Sequence, residues 1–319
     1  MRRRPNSAAL LLIALLLLAA ALSGCQRERE YTRTCFALNT FCTFTVYDEA
    51  DAAHLSGCVA LCNEYERVFS RTREDSELCA LNLAGSGHVS EALLDVLELA
   101  LELYALTDGA LDIGLGNVTE LWDFAAAEPS PPDAVQVAKA LEGSGAGNIE
   151  MSGDFVELNG VALDLGAVAK GYIAGKIASF LTSQGVERAM LNLGGNVTVI
   201  GDRHGKPYSI GVQTPFAAAG EYSALLELSD ASVSTSGVYQ RVFEFEGTLY
   251  HHVLDPSTGF PADSGLLSVS VTCADAALCD ALSTAFLVMG RDAAAEMIRS
   301  LDGVSAVFIA DDLSVTQIG

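Results

Sequence analysis

RAMLNLGGNVTVI, residues 188–200, decides the kind of fold this chain builds. Ala189, Leu191 and Leu193 alternate with other side chains, and Val197 and Val199 do the same beyond the Gly194-Gly195 pair. A period of two is that of a strand, and paired glycines supply the positive φ of a tight turn, so the stretch reads as strand, turn, strand. The pattern extends outward: residues 188–272 are nearly all alternating or β-branched, with turns at His204-Gly205 and Glu246-Gly247. Residues 35–47 read as one more strand, rich in β-branched and aromatic residues. Helical periods surround these, at residues 52–69, 89–106, 167–184, 275–289 and 292–300, before a final pair of strands. The clearest is 89–106, where Ser90 supplies an N-cap and Leu93, Leu97, Ala100 and Leu101 recur at helical spacing. Strands and helices are partly segregated. The expected class is therefore α+β, a largely antiparallel or mixed sheet flanked by helices, forming a single large domain that can divide into two lobes.

The ends and the charge bound what the molecule does. Arg2, Arg3 and Arg4 precede an apolar run at residues 8–22, which closes on Leu22-Ser23-Gly24-Cys25. This reads as a cleaved export signal over residues 1–24, and Leu-Ser-Gly-Cys resembles a bacterial lipobox with Cys25 as the lipidated residue. An ordinary signal peptide and a membrane anchor are the other readings. Residues 25–34 then form a polar tether, and the expected address is the extracytoplasmic side of a bacterial cell membrane. The chain carries 18 Lys+Arg against 41 Asp+Glu, a formal net charge of −23. Such a surface excludes nucleic acid as a partner and favours cations. A polyphosphate ligand then needs a metal or a local basic group. Cys58 and Cys62 stand at i, i+4 on a helix, but no second Cys/His pair has zinc spacing, so the cysteines read as core thiols.

Several polar groups fall at element ends. In HHVLDPSTGFP (251–261), histidine as a type titrates near neutrality, so His252 is expected to exchange a proton beside an Asp255-Pro256 turn, and Gly259 permits positive φ. The plainer alternative is a hydrogen-bonded histidine at the end of a strand. In VALDLGAVAKGY (161–172), a strand ending at Asp164-Leu165 is followed by a helix starting near Ala167, with Lys170 one turn in. A helix N-terminus and a lysine suit phosphate, while a plain strand-helix corner is equally compatible. Asp280 and Thr284, at i, i+4 among apolar neighbours, offer two hard oxygen ligands for Mg²⁺, or else a helix cap and its neighbour. Thr235-Ser236-Gly237 follows strand ASVS as a turn with hydroxyls. GSGAG (143–147) reads as part of a proline-flanked surface insertion, because a hairpin rather than a helix follows it.

Taken in order, FSRTREDSELCALN, TDGALDIGLGNVTELWDF, DLGAVAKGY, LNLGGNVTVIG, STSGVYQR, HHVLDPSTGFP and CDALSTAFLVMG resemble the ApbE-type FAD:protein FMN transferases, over residues 35–319. The resemblance implies a Mg²⁺-dependent split of FAD, in which FMN passes through its phosphate to a threonine hydroxyl and AMP leaves. By motif, Ala110, Leu111, Asp112, Asp164 and Lys170 contact FAD, and Leu38, in place of the family's Met of Met-Gly-Thr, lines the flavin site. The Ala167 carbonyl, Asp280 and Thr284 hold the metal, and His252 lies by the pyrophosphate as base. The implied partners are FAD and threonine-bearing acceptor subunits of membrane redox complexes. The chain departs from the pattern at Thr72, where relatives often carry an aromatic residue, and at Ser257, where Arg is commoner. Two other readings share these motifs: an FAD pyrophosphatase giving FMN and AMP, and a flavin-binding lipoprotein without turnover.

Overall fold

The computed structural model describes residues 29–124, 126–218 and 220–319. In chain order the elements are β1 (Tyr31–Ala37), β2 (Thr40–Val46), α1 (Leu55–Phe69), α2 (Glu77–Ala84), β3 (Ser86–His88), α3 (Glu91–Leu106), α4 (Gly116–Trp122), α5 (Ala134–Glu142), β4 (Glu150–Ser152) and β5 (Phe155–Glu157). There follow α6 (Ala169–Ser183), β6 (Ala189–Leu193), β7 (Asn196–Ile200), β8 (Tyr208–Gln213), β9 (Tyr222–Leu228), β10 (Ala231–Gly237), β11 (Val242–Phe245), β12 (Thr248–His251), β13 (Leu266–Cys273), α7 (Ala276–Met289), α8 (Arg291–Ile298), β14 (Ser305–Ala310) and β15 (Val315–Ile318). The leader at 1–24 and Cys25 lie outside the described residues, and β1 begins inside the span read as tether.

An eight-stranded sheet in the order β1-β2-β6-β7-β10-β13-β14-β15 forms the frame. Every neighbouring pair in it is antiparallel. The stretch that opened the sequence reading is its second hairpin, with Gly194 at φ 64° and Gly195 at φ 99°. On one face, α1, α6 and α7 close the main core, in which Phe44, Leu191, Leu193, Ile173, Ile177 and Phe286 are fully buried. On the other face the β8–β9 hairpin covers Val197, Val199, Val233, Val307 and Ile309. Both sides of β7 are thus shielded, and all five of its residues are buried. Each of its apolar side chains, Val197, Val199 and Ile200, contributes ~1.5–3 kcal/mol on leaving water. A third apolar cluster gathers Val118, Trp122, Val137, Phe243 and Leu254, joining α4 and α5 to the β11–β12 hairpin.

Four expectations change. Residues 35–47 are not one strand: Leu38 (φ 55°) and Asn39 (φ 56°) turn the chain between β1 and β2. The Glu66 carboxylate on α1 fixes that turn by accepting the Leu38 amide at 2.7 Å. Residues 161–165 form no strand, because their backbone groups bond loops and a side chain instead of a ladder. The Asp164 amide donates to Ile113 O at 2.8 Å, and Asn82 brackets Leu163 with bonds of 2.8 and 3.0 Å. Thr235-Ser236-Gly237 lies within β10 and pairs along β13 rather than forming a turn. The GSGAG segment packs tightly on the 112–114 loop, where a Cβ on Gly114 would stand 2.6 Å from Gly145 C.

The α6–α7 crossing is the tightest helix contact that bears on the site. A Cβ on Gly171 would lie 2.2 Å from Ala276 O and 2.7 Å from Asp280 Cβ, so only glycine lets the two helices meet. Gly175, one turn on, has nothing within 4 Å of such an atom. Gly171→Ala is expected to lower unfolding free energy by at least ~1–3 kcal/mol in urea denaturation. Gly175→Ala is expected to raise it by ~0.5–1 kcal/mol through helix propensity. Equal effects at the two positions would contradict this packing.

Candidate active site

The site forms where β10 meets the first turns of α6 and α7. Asp275 caps α7, accepting the amides of Ala277 at 2.8 Å and Leu278 at 3.0 Å, and so fixes where the helix starts. One turn on, Asp280 is only 3% exposed. A buried carboxylate needs partners, and it has several. Oδ2 accepts the Gly171 amide at 2.9 Å, Oδ1 accepts the Ser234 hydroxyl at 3.2 Å, and Lys170 Nζ stands 3.4 Å from Oδ1 and 3.5 Å from Oδ2. Asn196 bonds the same Ser234 hydroxyl and is itself buried. Lys170 also donates to Gly166 O at 2.9 Å, which holds its ammonium over the α6 entry.

The bond from Gly171 to Asp280 leaves a mark on the backbone. In a regular helix that amide would close on the carbonyl of Ala167 four residues back. Here Ala169 bonds Leu165 O at 2.9 Å and Tyr172 bonds Val168 O at 3.1 Å. Among the described residues, no backbone donor meets Ala167 O. Thr284 follows Asp280 by one turn, and its Oγ1 lies 3.0 Å from Ser236 Oγ on β10. A carboxylate, a hydroxyl and an uncommitted carbonyl therefore come from adjoining turns of two packed helices. All are hard oxygen donors, and they suit Mg²⁺ by type.

His252 follows the end of β12. Its Nδ1 faces Gln240 O at 3.0 Å, so in the neutral ring Nδ1 carries the proton and Nε2 keeps the lone pair. Burial lowers its pKa to about 4, helped by the positive charges of Arg241 and Lys170 and opposed by the Gln240 carbonyl. Lys170 thus acts on both Asp280 and His252. The neighbouring His251 is buried and bonds Ala262 O at 3.1 Å through Nε2. The Asp255-Pro256 loop closes as expected: the Asp255 amide bonds Phe260 O at 2.8 Å, and Gly259 takes φ 72°. Gly259 O accepts the Trp122 indole at 2.8 Å, which fastens this loop to the third cluster. Ser257, at the departure from the family pattern, spends its hydroxyl on Asp255 Oδ1 at 2.7 Å.

The remaining expected residues lie in loops and in the core. Asp164 closes an Asx turn to the Gly166 amide at 2.9 Å and pairs with Arg71 Nε at 3.1 Å. Asp112 accepts the amides of Gly114 at 2.7 Å and Ala146 at 2.9 Å. Burial raises the Asp112 pKa, and those two amides oppose the rise. Thr107 builds the start of this loop, donating to Leu103 O at 2.7 Å and accepting the Leu111 amide at 3.0 Å. Ala110 is half-buried there, whereas the Leu111 side chain belongs to the main core. The 112–114 loop reaches Asp164 through the bond to Ile113 O. The Leu38 amide is tied to α1 through Glu66, and its half-buried side chain packs against the main core.

Sequence reasoning missed Arg71, Ser234, Asn196 and the packing of residues 143–147. Arg71, Ser234 and Asn196 all lie inside motifs quoted for the resemblance, so a signal existed for them. The meeting of Asp280 with Ser234 on β10, and of Ser234 with Asn196 on β7, is set by tertiary packing and sheet register, which no local pattern discloses.

Comparison with known proteins places the chain in a family. A model of the ApbE family matches residues 38–308. The chain is 33% identical over 317 residues to the FAD:protein FMN transferase of Treponema pallidum (strain Nichols), covering 92% of this chain and 88% of the relative. It is 31% identical over 272 residues to the enzyme of the same name from Klebsiella pneumoniae (strain 342), covering 83% and 84%. The crystal structure of the ApbE protein from Thermotoga maritima superposes with a TM-score of 0.83 at 30% identity, over 91% of this chain and 97% of that one. The flavin transferase ApbE from Vibrio cholerae gives 0.78 at 25% identity, over 91% and 96%. With the motifs, the antiparallel frame and these similarities in agreement over nearly the whole described chain, the protein belongs to the ApbE family.

Proposed function

We propose that the chain transfers the FMN half of FAD to a threonine hydroxyl of an exported redox protein, with Mg²⁺ required and AMP released. The observation that carries this reading is the Asp280 centre: a buried carboxylate locked by Gly171, Ser234 and Lys170, beside an Ala167 carbonyl freed from its helix. Its relatives' name, FAD:protein FMN transferase, supports the class of reaction. Ala167 O, Asp280 and Thr284 would hold the cation, which when bound neutralises phosphate charge and polarises the phosphorus.

The chain's own groups do the rest. Lys170, held over the α6 entry, places a second positive charge where the phosphates lie. The threonine oxygen forms a bond to the FMN phosphorus, the bond from that phosphorus to the AMP oxygen breaks, and the threonine proton passes to His252 Nε2. A hydroxyl is a weak nucleophile, so such a base is worth ~10²–10⁴-fold. Because His252 is held well below its ordinary pKa, it is a neutral acceptor at neutral pH. Asp164 and Asp112 close the loops against which the dinucleotide packs. The acceptors fit subunits of membrane redox complexes, and lipidated Cys25 would hold the enzyme on the extracytoplasmic side of the membrane with them.

Incubation with FAD, Mg²⁺ and a threonine-bearing acceptor should add one esterified FMN to the acceptor by mass spectrometry. AMP released equally fast without acceptor would instead mark a hydrolase. Asp280→Asn should abolish transfer while the unfolding midpoint holds, and unchanged turnover at saturating Mg²⁺ would reject the role of this carboxylate. For His252 the sign is fixed by its lowered pKa: it stays unprotonated as pH falls through 6.5 and takes up a proton only near 4. The kcat/KM profile should therefore keep its plateau below pH 6.5 and fall along an acid limb only nearer pH 4. A limb at 6.5 that vanishes in His252→Ala would contradict this environment.

A further inference from the structure

Three sulfurs converge on the helix-facing side of the β1–β2 hairpin. Cys35 and Cys42 are direct partners across the two strands, and Cys62 comes from α1 packed against them. Their Sγ atoms all lie within 4.8 Å of one another. Cys42 and Cys62 are fully buried and Cys35 is half-buried. Cys58, at i−4 from Cys62 on the same helix, takes no part: its Sγ turns back to His54 O at 3.6 Å. The grouping is made by tertiary structure, not by a sequence motif.

Packing alone gives no reason for three thiols to face one another. A disulfide between any two would leave the third sulfur without a role. Three thiolates around one point fit trigonal coordination, since metal–sulfur bonds of ~2.3 Å place the sulfurs ~4 Å apart. The three need to draw in by less than ~1 Å to reach that spacing. Glu66, one turn beyond Cys62, does not supply a fourth ligand: Oε1 holds the Leu38 amide at 2.7 Å and Oε2 faces Arg73 Nη1 at 3.5 Å. The donor set is thus sulfur only and three-fold. Zn²⁺ favours four ligands, Mg²⁺ takes oxygen, and thiolate sites without oxygen suit Cu(I).

We propose that Cys35, Cys42 and Cys62 bind a single cuprous ion. Cys35, half-buried on the outermost strand of the sheet, gives the entry path, and each thiol that ligates passes its proton to solvent. The proposal stands independently of flavin transfer, because it uses no residue of the Asp280 centre.

The test titrates the reduced full chain with Cu(I), without oxygen, against a chromogenic cuprous chelator, and reads coordination by X-ray absorption at the copper edge. One ion per chain with three sulfur neighbours is expected. Cys35→Ser should weaken retention by more than the ~10–100-fold that an outer-shell loss costs. Cys79→Ser, another half-buried thiol, should leave retention unchanged. Two-sulfur coordination, tighter retention of Zn²⁺ than Cu(I), or equal losses in the two variants would overturn the proposal. The absorption measurement uses the unsubstituted chain, so it decides the question even if a variant folds poorly.

Discussion

The absence of a side chain at Gly171 sets the geometry of everything else at the site. With no Cβ, α6 and α7 approach until the Gly171 amide reaches the Asp280 carboxylate at 2.9 Å. That single bond does two things. It gives a buried anion a fixed donor, and it withdraws the amide that would otherwise occupy Ala167 O. A site with both a locked carboxylate and an open carbonyl follows from one close helix contact, not from a dedicated loop.

The energetics explain why so many groups surround one carboxylate. A charge removed from water costs several kcal/mol unless charge and hydrogen bonds replace the solvent. Lys170 provides the opposite charge, Gly171 provides a donor of fixed direction, and the Ser234 hydroxyl is shared between Asp280 and Asn196. The polar residues of β10 and α7 that face each other here are embedded in the main apolar core, on the helix-covered face of the sheet. This surround holds the donors in fixed positions, which is the condition for electrostatic preorganisation. The molecule's overall acidity is no obstacle, because Lys170 and Arg241 make the local field positive around His252.

Much of this was legible in the chain itself. Period-two alternation at 188–200 disclosed the sheet, and Ser90 and its apolar repeat disclosed α3, because both signals are local. The grouping of Asp280 with Thr284 was legible for the same reason, one helical turn being a short-range spacing. What escaped was non-local. The turn at Leu38-Asn39 interrupts an unbroken β-type composition and depends on Glu66, 28 positions away. Residues 161–165 look like a strand by composition yet spend their backbone bonds on Ile113, Gly116 and Asn82. The packing of 143–147 against 112–114 also joins segments that no short window connects.

The central claim is that the Gly171-locked carboxylate faces a cation and the dinucleotide phosphates. Crystals soaked with FAD and Mn²⁺ in place of Mg²⁺, read by anomalous scattering, test it most directly. The account predicts a manganese peak bounded by Asp280, Thr284 and the Ala167 carbonyl, with His252 Nε2 turned toward the pyrophosphate. A peak elsewhere, or FAD bound with its phosphates away from Lys170, would contradict it.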